Sequence, residues 1–317
     1  MDLSIIIVNW NSADFVMDCV ASIRKYTHDI SYEIIVVDNA SSREDAETLK
    51  NSLPNITFLR SDDNIGFARA NNLGFGYSAG DYVLLLNPDT VVLGPAISIM
   101  LREMKLLPKS GVVGCKLLNT DLSVQLSSIQ RFPTILNQVL DAECLLRRWP
   151  RCPLWDISPL FTDNVKVAEV DVISGACMLL RRETFKQVGM LSDDYFMYAE
   201  DVDLSYKVHR AGYTNYYVGS ASIVHHGGKS SSRQEVSSWA TTMRYKATKQ
   251  LFTKTRGRVY GALYRTAMGC MALVRLLLLA TTSTLGDIVL DRSSRRISAR
   301  KWKVVLKWAV AGDKGPA

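Results

Sequence analysis

Four short β-branched runs near the start of the chain constrain its fold more than any other feature: residues 4–9 (SIIIVN), 33–38 (EIIVVD), 55–60 (NITFLR) and 82–87 (YVLLLN). Each is aliphatic without alternation and ends on a polar residue, the composition of a strand covered on both faces of a parallel sheet. Between the first two, Phe15, Val16, Cys19, Val20, Ile23 and Tyr26 recur at helical spacing, and further helices are expected over residues 43–51, 68–77 and 95–107. Strand and helix alternate, so the expected class is α/β, a doubly wound sheet. In such sheets a ligand sits beyond the carboxyl ends of the strands. Those ends read Asn9-Trp10-Asn11, Asp38-Asn39 and Asn87-Pro88-Asp89, all but Trp10 and Pro88 polar.

The rest of the chain is organised differently. Residues 119–163 carry Pro133, Pro150, Pro153 and Pro159 and read as a loop-rich, partly helical stretch shaping a cleft; order returns over 170–181, 185–189 and 213–218. From about residue 236 the composition turns helical, so the expected division is a catalytic domain over 1–235 and a helical region over 236–317. The apolar stretch 257–290 is interrupted by Arg265, Arg275 and Asp287, and its longest charge-free window, 276–286, falls short of the ~20 residues that cross a bilayer. Beyond it, Arg292, Arg295, Arg296, Arg300, Lys303 and Lys307 fall on one helical face and Ile297, Val304, Val305 and Trp308 on the other, a pattern suited to an anionic membrane surface. The alternative is a helix packed on the protein with its charges solvated.

Charge follows the same division. Residues 251–317 hold 13 Lys+Arg against 3 Asp+Glu, while the remainder holds 25 against 28, so the net +7 of the 317-residue chain belongs to the tail. A slightly acidic body with a basic tail argues against a nucleic-acid groove and for a surface-binding element. Six scattered cysteines without a Cys-x-x-Cys pair read as reduced core thiols. Met1-Asp2 lacks the positive leader of a signal peptide. The expected location is cytoplasmic, peripheral on the cytoplasmic face of the membrane.

The densest chemistry lies at residues 195–204, YFMYAEDVDL, where Glu200, Asp201 and Asp203 follow an aromatic-rich segment and open a short helical pattern closed by Gly212. A carboxylate at a helix start beside apolar groups is partly desolvated yet favoured as an anion by the helix N-terminus, an environment suited to a general base and equally to an acidic N-cap.

The ordered strings VNWN (8–11), VVDNASS (36–42), NIGFARANNLG (64–74), LLLNPDT (84–90), SGACMLLRR (174–182), YFMYAEDVDL and HHGG (225–228) resemble the inverting, family 2 type glycosyltransferases of GT-A fold, most closely their rhamnosyltransferase-like branch. The resemblance covers residues 4 to about 232 and leaves the tail uncovered. It implies nucleotide-base binding at Asp38 and around Asn9. Asp38 is a strand-end carboxylate able to accept from the imide N–H of uracil or thymine, and equally to cap an Asx-turn. Arg69, in a helix bracketed by Gly66 and Gly74, is a candidate for the base or diphosphate. LLLNPDT stands where the family has Asp-x-Asp, with Asn87 in place of the first acid. Asp89 is then the oxygen ligand for Mg2+ or Mn2+, and Asn87 a neutral oxygen or a ribose contact. Relatives place a further metal ligand at His225, with His226 in reserve, and Lys229 and Ser230 could contact phosphate. The resemblance makes Asp201 the base, with Glu200 and Asp203 orienting or binding acceptor. Gly175 and Ala176 would let the donor sugar approach, and Trp155, Trp149 and Arg131 are candidate acceptor contacts.

These readings converge on a metal-dependent inverting transferase that moves a sugar, rhamnose from dTDP-rhamnose, to a saccharide or polyprenyl-linked saccharide hydroxyl in cell-surface polysaccharide synthesis. Its rivals are a galactofuranosyl- or other hexosyltransferase on the same scaffold, and an inactive nucleotide-sugar-binding scaffold protein. A nucleotidyltransferase would want a Gly-rich basic loop after the first strand, which VNWNSADF lacks.

Overall fold

A computed structural model describes residues 1–140, 165–227, 238–281 and 292–311. The chain divides into two compact units, one built on Met1–Phe132 with most of 165–227, the other on Gln234–Ala317 together with Pro133–Trp149. Trp149 and Trp155, as well as Lys229 and Ser230, lie outside the described residues.

The first unit has strands β1 (Leu3–Asn9), β2 (Tyr32–Asn39), β3 (Thr57–Ser61), β4 (Tyr82–Leu86), β5 (Thr90–Leu93), β6 (Ser110–Leu118), β7 (Ile129–Gln130), β8 (Val167–Val170), β9 (Val172–Ile173), β10 (Cys177–Arg181) and β11 (Thr214–His225). Its helices are α1 (Ala13–Tyr26), α2 (Arg43–Ser52), α3 (Phe67–Gly76), α4 (Ala96–Leu106), α6 (Arg182–Gln187) and α7 (Glu200–Arg210). The second unit contains α5 (Ile135–Val139), α8 (Ser238–Arg256), α9 (Arg258–Thr281) and α10 (Arg292–Ala311).

Among the described residues nine strands make the main sheet, in the order β3-β2-β1-β4-β10-β6-β11-β5 with β8 beside β11. The β3-β2-β1-β4 half is parallel, as the aliphatic runs predict, and β10 then pairs antiparallel with β4. Successive residues of β1 point to opposite faces. Ile5 and Ile7 enter a core with Val16, Val20 and Met100, while Ile6 and Val8 enter a second core with Ala68, Phe185 and Leu204. Covering a sheet on both sides is what makes an uninterrupted apolar strand the stable choice. Three expectations change. β3 is an edge strand and mostly half-buried. Residues 170–181 break into short strands. The run 213–218 extends to His225 as one strand, with register shifts where it pairs with β6.

In the second unit Phe252, Tyr264, Met268, Ala272, Trp302, Val305 and Trp308 form a core. The Arg265 Nε donates to the Ala309 carbonyl at 2.8 Å and the Arg275 guanidinium sits 5.3 Å over the Trp302 ring. Ascending positions on α9 thus meet descending positions on α10, so the helices are antiparallel. Of the apolar side expected to seek membrane, Val305 and Trp308 are buried and Val304 is half-buried, because the neighbouring helices supply apolar cover, while Ile297 stays exposed. The larger uncovered apolar face lies on α9, where Val259, Leu263, Leu273, Val274, Leu277 and Leu278 are exposed. Cys270 shares that exposure, unlike buried Cys19, Cys115 and Cys177.

Candidate active site

The ends of β1 and β2 form one rim. Asn9 is fully buried, its Nδ2 donating to Asp38 Oδ1 (2.9 Å), Ser41 Oγ (3.0 Å) and Asp45 Oδ2 (2.6 Å), while its Oδ1 accepts from the Ser12 N–H and hydroxyl. Its polar atoms are consumed by the protein. The expected nucleotide contact at Asn9 becomes a brace that aims Asp38. The Asp38 Oδ2 has no hydrogen-bond partner although it is buried, and Arg60 Nε lies 3.7 Å away. An orphaned buried carboxylate oxygen at a strand end is an acceptor left for something else.

Strand registers assemble the centre. β4 pairs with β10 so that Leu86 faces Cys177, and the next residue, Asn87, donates its N–H to Ala176 O at 3.0 Å. β5 pairs with β11 so that Thr90 faces His225, and the His226 N–H returns to the Asp89 carbonyl. Asn87, Asp89 and His225 thereby meet. The His225 Nε2 is 3.3 Å from Asn87 Nδ2 and 3.4 Å from Asp89 Oδ1. Asp89 is 2% exposed, and neither carboxylate oxygen has a hydrogen-bond partner. His226, held in reserve above, instead places Nδ1 3.2 Å from the Thr120 hydroxyl.

The donor set fits a divalent cation. Two buried, unpartnered carboxylate oxygens beside an imidazole nitrogen are hard and borderline ligands for Mg2+ or Mn2+, with Asn87 adjacent as a neutral oxygen source. Among the described residues no group of three His, Cys, Asp or Glu side chains gathers, so protein alone would supply a partial shell.

Asp201 begins α7. Its Oδ2 accepts from the Gly175 N–H at 2.9 Å and its Oδ1 from the Val202 N–H at 2.8 Å. A Cβ on Gly175 would stand 3.3 Å from Asp201 Cβ, tighter than ordinary contact, so the absence of a side chain at the residue expected to admit donor sugar leaves room for the Asp201 side chain. Gly175 adjoins Ala176, and Ala176 is bonded to Asn87. The candidate base and the candidate cation ligands are therefore joined through two residues. Burial raises the Asp201 pKa against the lowering effect of the two amides. Glu200 beside it is 8% exposed, has an unpartnered Oε2, and is pushed up to about 8 by burial and then by the charge of Asp201.

Two expected contacts point elsewhere. Asp203 is buried and accepts from Ser192 Oγ at 2.5 Å and Tyr195 OH at 3.4 Å, so it ties α7 to the preceding loop and is not open to acceptor. Arg69 donates its Nε–H to the Asp193 carbonyl at 3.0 Å, and Asn72 binds Leu191 O and Asp193 Oδ1. Both brace α3 against that same loop. Gly66 caps α3 at φ 81°, its N–H donates to Asn64 Oδ1 at 3.1 Å, and a Cβ there would stand 2.5 Å from Phe196 O, so the position needs glycine. Gln125 was missed by sequence reasoning: its Nε2–H donates to His225 O at 2.6 Å and its Oε1 lies 3.0 Å from His225 Nδ1.

The Glycosyl transferase family 2 model matches residues 4–189. The chain belongs to that family. Similar to it are an N-acetylglucosaminyl-diphospho-decaprenol L-rhamnosyltransferase of Mycobacterium tuberculosis, 32% identical over 218 residues covering 64% of this chain and 69% of the relative, and the rhamnosyltransferase WbbL of Escherichia coli K12, 26% identical over 262 residues covering 78% and 94%. The mannosyltransferase PcManGT of Pyrobaculum calidifontis, solved with GDP-Man and Mn2+, superposes at TM-score 0.61 and 17% identity over 99% of this chain and 88% of that one. GalNAc-T7, solved with UDP, GalNAc and Mn2+, gives TM-score 0.56 at 14% identity; 80% of this chain spans about half, 51%, of that one. These two likenesses show a GT-A-like fold. The family 2 chain is thus a glycosyltransferase. The family match ends before α7, so the case for Asp201 and His225 as site residues rests on their geometry.

Proposed function

We propose that this family 2 glycosyltransferase inverts the anomeric carbon as it moves rhamnose from a nucleoside diphosphate donor to a polyprenyl-linked saccharide. What carries the reading is the continuous path His225–Asp89/Asn87–Ala176–Gly175–Asp201, which puts a carboxylate base next to candidate cation ligands. The rhamnosyltransferase names of the two relatives support the sugar, and the diphospho-decaprenol in the name of the Mycobacterium tuberculosis relative supports the lipid-linked acceptor. Asp201, its pKa raised by burial, takes the proton of the acceptor hydroxyl as that oxygen bonds to the anomeric carbon. The bond from that carbon to the departing diphosphate breaks on the opposite side, and one in-line displacement inverts the centre. Asp38 offers its unpartnered oxygen to the imide N–H of the base. Asp89 and His225 would hold a divalent cation, which when bound neutralises charge on the departing diphosphate.

Thermal-shift screening of UDP-, dTDP- and GDP-sugars with and without Mn2+ tests the donor, since a specific ligand stabilises the folded state. A Mn2+-dependent shift with dTDP-rhamnose, followed by transfer with inverted anomeric configuration in NMR, is expected. Retained configuration, or a shift restricted to another sugar nucleotide, overturns the corresponding part.

The same reading places the protein on a membrane surface through α9. Its exposed stripe carries no charge, because Arg265 and Arg275 turn toward α10, and α10 exposes Arg296, Arg300, Lys303 and Lys307. Apolar contact plus basic side chains suit an anionic lipid surface.

A further inference from the structure

Gln125 reaches His225 because of strand pairing. Leu118, at the end of β6, bridges to Val124 across a tight turn, and the Gln125 N–H donates to Leu117 O at 2.9 Å. β6 also runs parallel to β11 with Leu118 opposite Val224. The residue after Val124 therefore comes to lie beside the residue after Val224.

The two bonds from Gln125 fix more than a position. The His225 carbonyl can only accept, so the group 2.6 Å from it must be the Gln125 amide nitrogen. The other end of the amide is then an oxygen, which also only accepts, and it faces Nδ1 at 3.0 Å. Nδ1 must carry the hydrogen. In a neutral imidazole the lone pair is then on Nε2, the atom that faces Asp89 Oδ1 at 3.4 Å and Asn87 Nδ2 at 3.3 Å. The Asn87 Nδ2 can donate to that lone pair, but the Asp89 oxygen beside it is drawn to Nε2 only by a positive charge between them, a cation or a second ring proton.

We propose that Gln125 is a positioning residue that locks His225 as the Nδ1–H tautomer and so keeps its Nε2 lone pair, with Asp89, preformed for a divalent cation. Without the clamp the other tautomer would be available, with an Nε2–H able to bond Asp89 and close the site on itself. This rests on the cation reading of Asp89 and His225 given above. The partner of a ligating histidine's second nitrogen orients the ring and sets its tautomer, and removing it costs ~10–100-fold in metal affinity.

The test is a long-range 15N–1H spectrum of the metal-free protein at about pH 8, above the ordinary imidazole pKa of ~6.5. The chain has only four histidines, and a His225→Asn variant assigns the signal. The wild type should show Nδ1–H at His225. Gln125→Ala should shift it toward Nε2–H and weaken Mn2+ binding, read by electron paramagnetic resonance, by ~10–100-fold. Gln125→Glu, whose carboxylate still accepts from Nδ1–H, should keep the tautomer and recover most of the affinity. An Nε2–H signal in the wild type overturns the proposal, as does an unchanged tautomer in a folded Gln125→Ala variant. Absence of Mn2+ binding by wild type with Nδ1–H in place overturns the cation reading instead, and leaves the tautomer lock supported.

Discussion

Replacing Asp201 with Asn removes a base while changing little of the shape. The carboxylate accepts one backbone N–H on each oxygen, from Gly175 at 2.9 Å and Val202 at 2.8 Å. A carboxamide can satisfy one of them and must turn its NH2 toward the other, stranding a donor at a cost of ~1–3 kcal/mol. Against that, the variant no longer carries an anion whose burial raises its pKa, so part of the cost is offset. Folding stability should therefore fall by no more than ~2 kcal/mol. Turnover should fall far more, ~10²–10⁴-fold for loss of a general base, or ~3–5 kcal/mol in the barrier. Release of nucleoside diphosphate gives kcat, calorimetric titration gives donor affinity, and urea unfolding gives stability. Lost kcat with retained donor affinity is expected. A kcat within about tenfold of wild type refutes the base assignment. Collapse of both donor affinity and stability would mean that the carboxylate serves to hold the Gly175 loop.

The remaining predictions probe Glu200, the sheet and α9. Glu200 keeps its proton to about 8 in the fold but loses it near ~4.3 when unfolded. The folded state thus binds more protons between those values, stability falls as pH rises through that window, and the loss is complete above it. Glu200→Gln should flatten that decline in urea titrations. A wild type equally stable at both ends of the window contradicts the burial argument. A Cβ at Gly74 would meet Ile6 Cγ2 at 2.7 Å, so Gly74→Ala should destabilise by ~1–3 kcal/mol through overpacking of α3 on β1; an unmoved urea midpoint would show that α3 can slide. Leu273→Glu with Leu277→Glu should abolish co-sedimentation with anionic phosphatidylglycerol vesicles while leaving the melt unchanged, and undiminished binding would remove α9 as the contact.

Some strands are legible and others are not, for a physical reason. β1, β2 and β4 announce themselves because covering on both faces demands unbroken aliphatic sequence. β5 is only TVVL, and β6 (SGVVGCKLL) is diluted by two glycines, one of which leaves room for Ile173. β11 carries Gly219 and Ser220 at its register shift, which break the apolar pattern of one continuous strand. Asp38 and Asp89 were legible for the complementary reason: a ligand in a doubly wound sheet sits beyond the carboxyl ends of the strands, and acids there mark the place. Asp203 shows the limit. It lies two positions after Asp201 on α7, about 200° around the helix, so the same acidic string sends one carboxylate toward Gly175 and the other toward Ser192 and Tyr195.

Local composition, then, determined by itself the α/β class, the polar strand ends and the basic charge of the tail, since each depends on what a segment must bury or expose. Tertiary structure decided the pairings between distant segments. It set Gln125 on His225, used up Asn9 on Asp38, and covered Trp308 while baring Leu277. A side chain's sequence neighbours state its chemistry, but which atoms saturate it depends on strand register and helix packing, and these are fixed only when the whole sheet and helical bundle close.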